Sequence, residues 1–275
     1  MSTAKPYSLT DLITIMQRLR DPENGCPWDK KQTFSSIVPS TLEEAYEVAE
    51  TIEQKDYDHL EEELGDLLFQ VIFYCQLGQE EQRFDFDGVV SGLAEKLLRR
   101  HPHVFHEGEL HRSATLAPME DDNVIKQQWE TLKQEEREAK GQKSVLADIP
   151  LNFPALSRSQ KLQKRASNVG FDWKDINDVV AKAEEELQEL KQALAAQEKK
   201  AIAEELGDLL FSVVNIARHC KEDAESLLRA GNRKFQGRFE YIESQLAGQA
   251  KQFKDVELDE MEALWQLAKS RENAL

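Results

Sequence analysis

The sequence predicts an all-α protein made of two tandem helical-bundle domains, each containing an acidic antiparallel helical hairpin. Three observations lead there. The stretch EELGDLLF occurs twice, at Glu62–Phe69 and at Glu204–Phe211. Each copy follows an acidic cluster of the form EExxE, Glu43 to Glu47 in the first half and Glu185 to Glu189 in the second, and both sets stand 142 positions apart. The apolar residues around them recur at helical spacing, as Leu12, Ile13, Ile15, Met16 and Leu19 do near the start.

Residues three or four apart on a helix share a face, so Glu44 points with Glu47 and Glu63 with Asp66. In an antiparallel hairpin, residues at equal depth have numbers that add to a constant. Glu47 with Glu63 and Glu44 with Asp66 meet that condition about a centre at Lys55, in the polar turn Lys55-Asp56-Tyr57-Asp58. Glu189 with Glu205 and Glu186 with Asp208 meet it about Gln197. Each hairpin thus brings four carboxylates to two adjacent levels. Such groups repel unless cations hold them or protons neutralise them, and all-oxygen ligation suits Mg²⁺ or Mn²⁺. A metal-dependent reaction on phosphate is the chemistry this pattern favours.

The competing reading is a solvated acidic helix face. Against it, the carboxylates are interleaved with Leu42, Ala45, Val48, Leu64, Leu67 and Leu68 and have no Lys four residues on. Gly65 and Gly207 interrupt the helices at a cost of about 1 kcal/mol relative to Ala, which predicts a close approach to the backbone. A di-iron carboxylate bundle wants ExxH. The residues three after Glu44, Glu47, Glu63, Glu186 and Glu205 are Glu47, Glu50, Asp66, Glu189 and Asp208, never His. A non-enzymatic reading, a metal-stabilised helical dimerisation or regulatory protein, stays open beside the enzymatic one, above all for the first half.

The chain has 275 residues, enough for two domains. Its net charge of −17 and the absence of a basic tail argue against a nucleic-acid polymer as partner. Cys26, Cys75 and Cys220 are odd in number and form no CxxC, which fits a reducing cytosol; Cys75 and Cys220 are expected to pack in the interior. No apolar run spans a membrane, and the opening MSTAKPYSLT lacks the apolar core of a signal peptide, so a soluble cytoplasmic protein is expected. No GxxxxGK[ST] occurs, which excludes a P-loop route.

Taken in order, Ser8-Leu9-Thr10-Asp11 opens a first helix that Asp21-Pro22-Glu23-Asn24-Gly25 ends. In the loop after it, Trp28 is expected to pack in the core rather than beside a ligand. Ser40 or Thr41 is placed to cap the first acidic helix with Glu43 or Glu44 closing a capping box, the main structural rival for those two acids. The second hairpin helix continues apolar through Val71, Ile72, Phe73 and Leu77, and a helix from Phe86 ends in Arg99-Arg100-His101-Pro102-His103. Those groups either contact phosphate or complement a helix C-terminus. Residues 107–120 read as a loop, a charged helix surrounds Trp129 up to a stop at Gly141, and Ile149 to Pro154 is a proline-punctuated joint. The expected organisation is a first domain over 1–120, a helical joint over 121–154 and a second domain over 155–275. In the second half, Phe171-Asp172-Trp173 is the counterpart of the Trp28 loop. After the second hairpin comes a helix with Arg229, Asn232, Arg233, Lys234 and Arg238, of which Lys234 and Arg238 share a face; they are either solvated or face a ligand. A last helix over Leu258 to Arg271 carries an apolar stripe of Met261, Leu264, Trp265 and Leu267.

The CPWD loop, LEEAYE, the two EELGDLL segments, RRHPHVF, the joint at Leu146 to Leu156 and KLQKRASNVGFDW together resemble the two-domain bacterial MazG nucleoside triphosphate pyrophosphohydrolases over nearly the whole chain. The resemblance implies an all-α homodimer that uses Mg²⁺ to convert NTPs and dNTPs to NMPs and pyrophosphate. It implies metal ligands at Glu44, Glu47, Glu63 and Asp66 and at Glu186, Glu189, Glu205 and Asp208, with Glu43, Glu62, Glu185 and Glu204 accessory. It implies catalysis by the second domain, with Lys234 and Arg238 on phosphates beside Arg233 and Trp265. Where the family commonly has Lys four residues before the ExxD glutamate, this chain has Ala201, with Lys199 and Lys200 just upstream.

Overall fold

The computed structural model describes residues 7–105, 108–111, 122–139, 141 and 144–272. All the regular elements among them are helical: α1 (Leu9–Leu19), α2 (Phe34–Gln54), α3 (Tyr57–Glu80), α4 (Phe86–Arg100), α5 (Asp122–Ala139), α6 (Ala155–Ser167), α7 (Ile176–Ala196), α8 (Lys199–His219), α9 (Ala224–Gly248) and α10 (Leu258–Glu272), with single 3-10 turns at Asp29–Lys31 and Phe253–Asp255. The chain divides by contacts into Met1–Glu135 and Glu136–Leu275, a boundary inside α5. The loop expected over 107–120 lies outside the described residues except at 108–111.

In the first unit, Ser8 caps α1 and exchanges hydrogen bonds with Asp11 as a capping box. The hairpin α2–α3 carries the core: Met16, Ile37, Ile72, Phe73 and Leu77 are buried together, with Phe34, Phe69 and Tyr74 packed around them. Arg20 locks α1 and the Asp29–Lys31 turn onto α3. Its Nε and Nη2 reach Glu80 at 2.8 and 2.6 Å, its Nη1 donates to the carbonyls of Asp29 and Gln32, and its guanidinium lies over the Phe73 ring.

In the second unit, the hairpin α7–α8 is braced by α6. Gln163 donates to the Phe211 carbonyl, and Gln160 bridges the Glu222 carbonyl and the Ala224 amide, so α6 fixes the junction of α8 and α9. Asp172 accepts from Arg218 at 2.5 and 3.0 Å and lies 3.0 Å from His219 Nε2, which ties the loop after α6 to the end of α8. A separate cluster of Ile242, Leu246 and Leu264 joins α9 to α10.

Several expectations are corrected. The first acidic helix does not start at Ser40 or Thr41. Thr33 caps it, with Ser36 returning the second bond of a capping box, and Pro39 lies inside it. Glu43 and Glu44 are therefore in the helix interior, and capping no longer accounts for them. The proline forfeits one backbone bond there, and the packing of α2 against α3 carries the helix through it. Trp28 is 58% exposed rather than in the core; the buried residue of its loop is Asp29. Cys75 is buried as expected, but Cys220 is exposed. Val71 and Leu267 also face outward. A Cβ built on Gly65 or Gly207 meets nothing within 4 Å, so these glycines admit no close approach from within the described residues.

Candidate metal centres

Each hairpin turns through a residue in the left-handed conformation, Lys55 at φ 59° and Gln197 at φ 56°. The equivalence of the two turns sets equal registers. Asp56 then caps α3 by accepting from the His59 amide. The consequence is that α2 and α3 face each other in the register the residue numbers require, as do α7 and α8.

The structure brings one carboxylate oxygen each from Glu44, Glu63 and Asp66 within 4.8 Å of one another, and does the same for Glu186, Glu205 and Asp208. Glu47 and Glu189 stand outside these trios but act on them electrostatically. Partial burial, followed by the charges of Glu47 and Asp66, raises the Glu63 pKa above the ordinary carboxylate value. Burial, then the charges of Asp66, Glu47 and Glu43, raises that of Glu44. Burial, then Glu189, Glu186, Asp208 and Glu204, raises that of Glu205. Carboxylates whose pKa values rise in this way are short of positive charge, the condition a divalent cation relieves. The donor set is all oxygen, which fits Mg²⁺ or Mn²⁺ rather than a softer metal.

The two centres are not copies in their surroundings. Lys182 lies 2.8 Å from Glu186 and 3.0 Å from Glu185, so the second centre has the local ion pairing that the sequence was expected to lack. The signal was present in the sequence, but on the other side of the acid, four residues before Glu186. Glu186 is 6% exposed. At the position equivalent to Lys182, 142 residues earlier, stands Ser40. In the first centre Gln70, buried on α3, donates to Glu44 across 3.4 Å. Its equivalent in the second unit is Ser212.

Of the remaining candidates, Glu204, Arg233 and Lys234 are exposed, on α8 and α9. Arg238 lies over the Trp265 ring and pairs with Glu272, and Phe235 packs against the same ring. Glu272, 34 residues from Arg238, gave no sequence signal of its role.

A family model described as the MazG nucleotide pyrophosphohydrolase domain matches residues 32–105 and again 175–240, so that each match encloses one carboxylate trio. The chain belongs to the MazG family. A nucleoside triphosphate pyrophosphohydrolase of Escherichia coli K12 is 49% identical over 265 residues, 95% of this chain and 97% of that protein. A nucleoside triphosphate pyrophosphohydrolase/pyrophosphatase MazG of Thermotoga maritima is 40% identical over 259 residues, 94% of each. A nucleoside triphosphate pyrophosphohydrolase of Mycobacterium tuberculosis is 34% identical over 165 residues, 59% of this chain. The tandem arrangement read from the repeated acidic stretch is therefore a pair of MazG domains. No helix among the described residues is long and apolar enough to cross a membrane.

Proposed function

We propose that this protein is a Mg²⁺-dependent nucleoside triphosphate pyrophosphohydrolase, converting NTPs and dNTPs to NMPs and pyrophosphate by attack of water at the α-phosphorus, in nucleotide-pool housekeeping. The observation that carries the proposal is the convergence of Glu186, Glu205 and Asp208 across α7 and α8, inside a MazG domain that also holds Lys234 and Arg238. Glu186, Glu205 and Asp208 hold the metal, with Glu189 as a fourth acid beside them; Glu44, Glu47, Glu63 and Asp66 form the corresponding set in the first domain. When bound, Mg²⁺ lowers the pKa of a water and neutralises phosphate charge.

The chain's own residues supply the rest. Glu185 or Glu204 accepts the proton of the attacking water. Lys234 and Arg238, with Arg233 near them in sequence, bind the phosphates of the nucleotide and meet the charge that spreads over them as pyrophosphate leaves. Loss of one such contact costs about 10²- to 10³-fold when it is felt only in the transition state. Trp265 serves the nucleotide site as the platform under the Arg238 guanidinium.

A homodimer belongs to the same proposal. Leu64, Leu68 and Val71 on α3 and Leu206, Leu210 and Val213 on α8 are exposed, and apolar helix faces of this kind suit a second copy of the chain. For the first domain an assembly role is the second reading, favoured by the Ser40-for-Lys182 difference.

The test is a product assay on the full chain with Mg²⁺ and a panel of NTPs and dNTPs. Glu189→Gln with Glu205→Gln is expected to abolish NMP and pyrophosphate release while the circular dichroism stays helical. Normal turnover by that variant would move the chemistry to the first domain or refute the site.

A further inference from the structure

Arg238, a candidate to contact phosphate, has its orientation fixed on two sides. Its Nε lies 3.1 Å from both carboxylate oxygens of Glu272, and its Nη2 lies 2.7 Å from Oε2, a side-on bidentate pair. The guanidinium carbon stands 5.3 Å from the centre of the Trp265 ring, so the indole supports its flat face. Trp265 is itself backed by Phe235, with ring centres 5.3 Å apart. The Arg238 side chain is 14% exposed while that of Glu272 is 42% exposed, so the arginine is the enclosed member. The groups belong to α9 and α10, which pack together over Ile242, Leu246 and Leu264.

A free arginine carries about 2 kcal/mol of rotamer entropy, which is lost when it grips a phosphate. In this chain one edge, Nε with Nη2, is taken by Glu272, and the face by Trp265. The Nη1 edge takes no part in the Glu272 pair. A side-on pair of this kind leaves the other end of the guanidinium available to a phosphate oxygen, so Glu272 and a phosphate can be engaged at once.

We propose that Glu272 is the positioning residue of the triphosphate site: its carboxylate holds Arg238 side-on against Trp265 so that the Nη1 edge meets the nucleotide phosphates already ordered. The inference rests on the proposed function of the second domain and on Arg238 contacting phosphate there. A residue that merely competed with phosphate for the arginine would have the opposite kinetic sign, and one that merely joined α9 to α10 would alter stability and leave substrate affinity unchanged.

The experiment is steady-state kinetics on the full chain with ATP and Mg²⁺, reading NMP and pyrophosphate, for the parent, Glu272→Gln, Glu272→Asp, Arg238→Lys and the double variant Glu272→Gln with Arg238→Lys, with a thermal melt of each. Glu272→Gln is expected to raise KM about tenfold with kcat changed far less, because part of the arginine's rotamer freedom is then lost on binding phosphate rather than beforehand. Glu272→Asp should recover part of that loss. In the Arg238→Lys background the same substitution should add nothing, because Lys cannot be held side-on. An unchanged or lowered KM in Glu272→Gln, or an effect that adds fully to that of Arg238→Lys, overturns the proposal. If the parent releases no pyrophosphate, or Arg238→Lys leaves both constants unaltered, the reading of the site itself fails, and this inference fails with it.

Discussion

The ammonium of Lys182 stands 2.8 Å from Glu186, the most enclosed acid of the two trios, and its counterpart in the first domain is a serine. The second centre therefore carries a built-in counter-charge, and the pair holds the Lys182 pKa well above the ordinary lysine value, through hydrogen bonds to Glu186 and then Glu185. In the metal-free chain, Lys182→Met should destabilise the second domain by about 1 kcal/mol, a charge-assisted bond discounted for the solvent that reaches the lysine. That is a melting shift of about 2–4 °C. Added Mg²⁺ should recover it, because the cation replaces the lost charge. Thermal melts with and without Mg²⁺ read this directly, and an unchanged metal-free melt would show the pair to be without energetic weight.

Glu44, Glu63 and Glu205 all have raised pKa values in the folded chain, in each case through burial first and neighbouring acids second. Between the unfolded and folded values the folded chain binds more protons, so stability falls as pH rises through that interval. The destabilisation is absent below the unfolded carboxylate value and complete above the raised one. Metal uptake displaces those protons. The gain in melting temperature on adding Mg²⁺ should thus be largest near neutral pH and fade as pH drops through the raised carboxylate range. An equal gain at acid and neutral pH, from melts in a pH series, would contradict the linkage.

Gly65 and Gly207 sit in helices with open space where a Cβ would go. Gly65→Ala and Gly207→Ala should each stabilise the protein, by up to about 1 kcal/mol in helix propensity. Chemical denaturation measures it. A loss of stability, or of the proposed dimer by light scattering, would place a second copy against that face.

Thr33→Ala removes the capping box of α2 and should cost about 1 kcal/mol. Under the proposed catalysis by the second domain, pyrophosphate release should be unaffected, since the residue belongs to the first. Comparing urea midpoints with turnover checks both halves of the statement.

What the sequence disclosed was local and periodic. The duplicate acids, the depth of Glu44 against Asp66 and the turns at Lys55 and Gln197 follow from counting along two helices, because a hairpin maps sequence distance onto space. The start of α2 did not follow, because Pro39 and Ser40 resemble a helix boundary, and only packing against α3 shows that the helix runs through them. Lys182 stands at helical spacing from Glu186 but on its N-terminal side, where the expectation of a cation four residues after each acid does not reach. The pairing of Arg238 with Glu272 joins two helices through a long-range fold contact, which no spacing rule encodes. Trp28 and Cys220 were misplaced because residue type reports average burial, whereas here the loops put them outward.

The central claim, that each hairpin gathers its acids to capture a divalent cation, is tested most directly by titration calorimetry with Mg²⁺. The parent, Glu63→Gln with Asp66→Asn, Glu205→Gln with Asp208→Asn, and all four substitutions together should be compared at neutral pH. Two sites are expected in the parent, a different one lost in each pair, and none in the fourfold variant. A fourfold variant that remains helical and still takes up Mg²⁺ as the parent does would contradict the account.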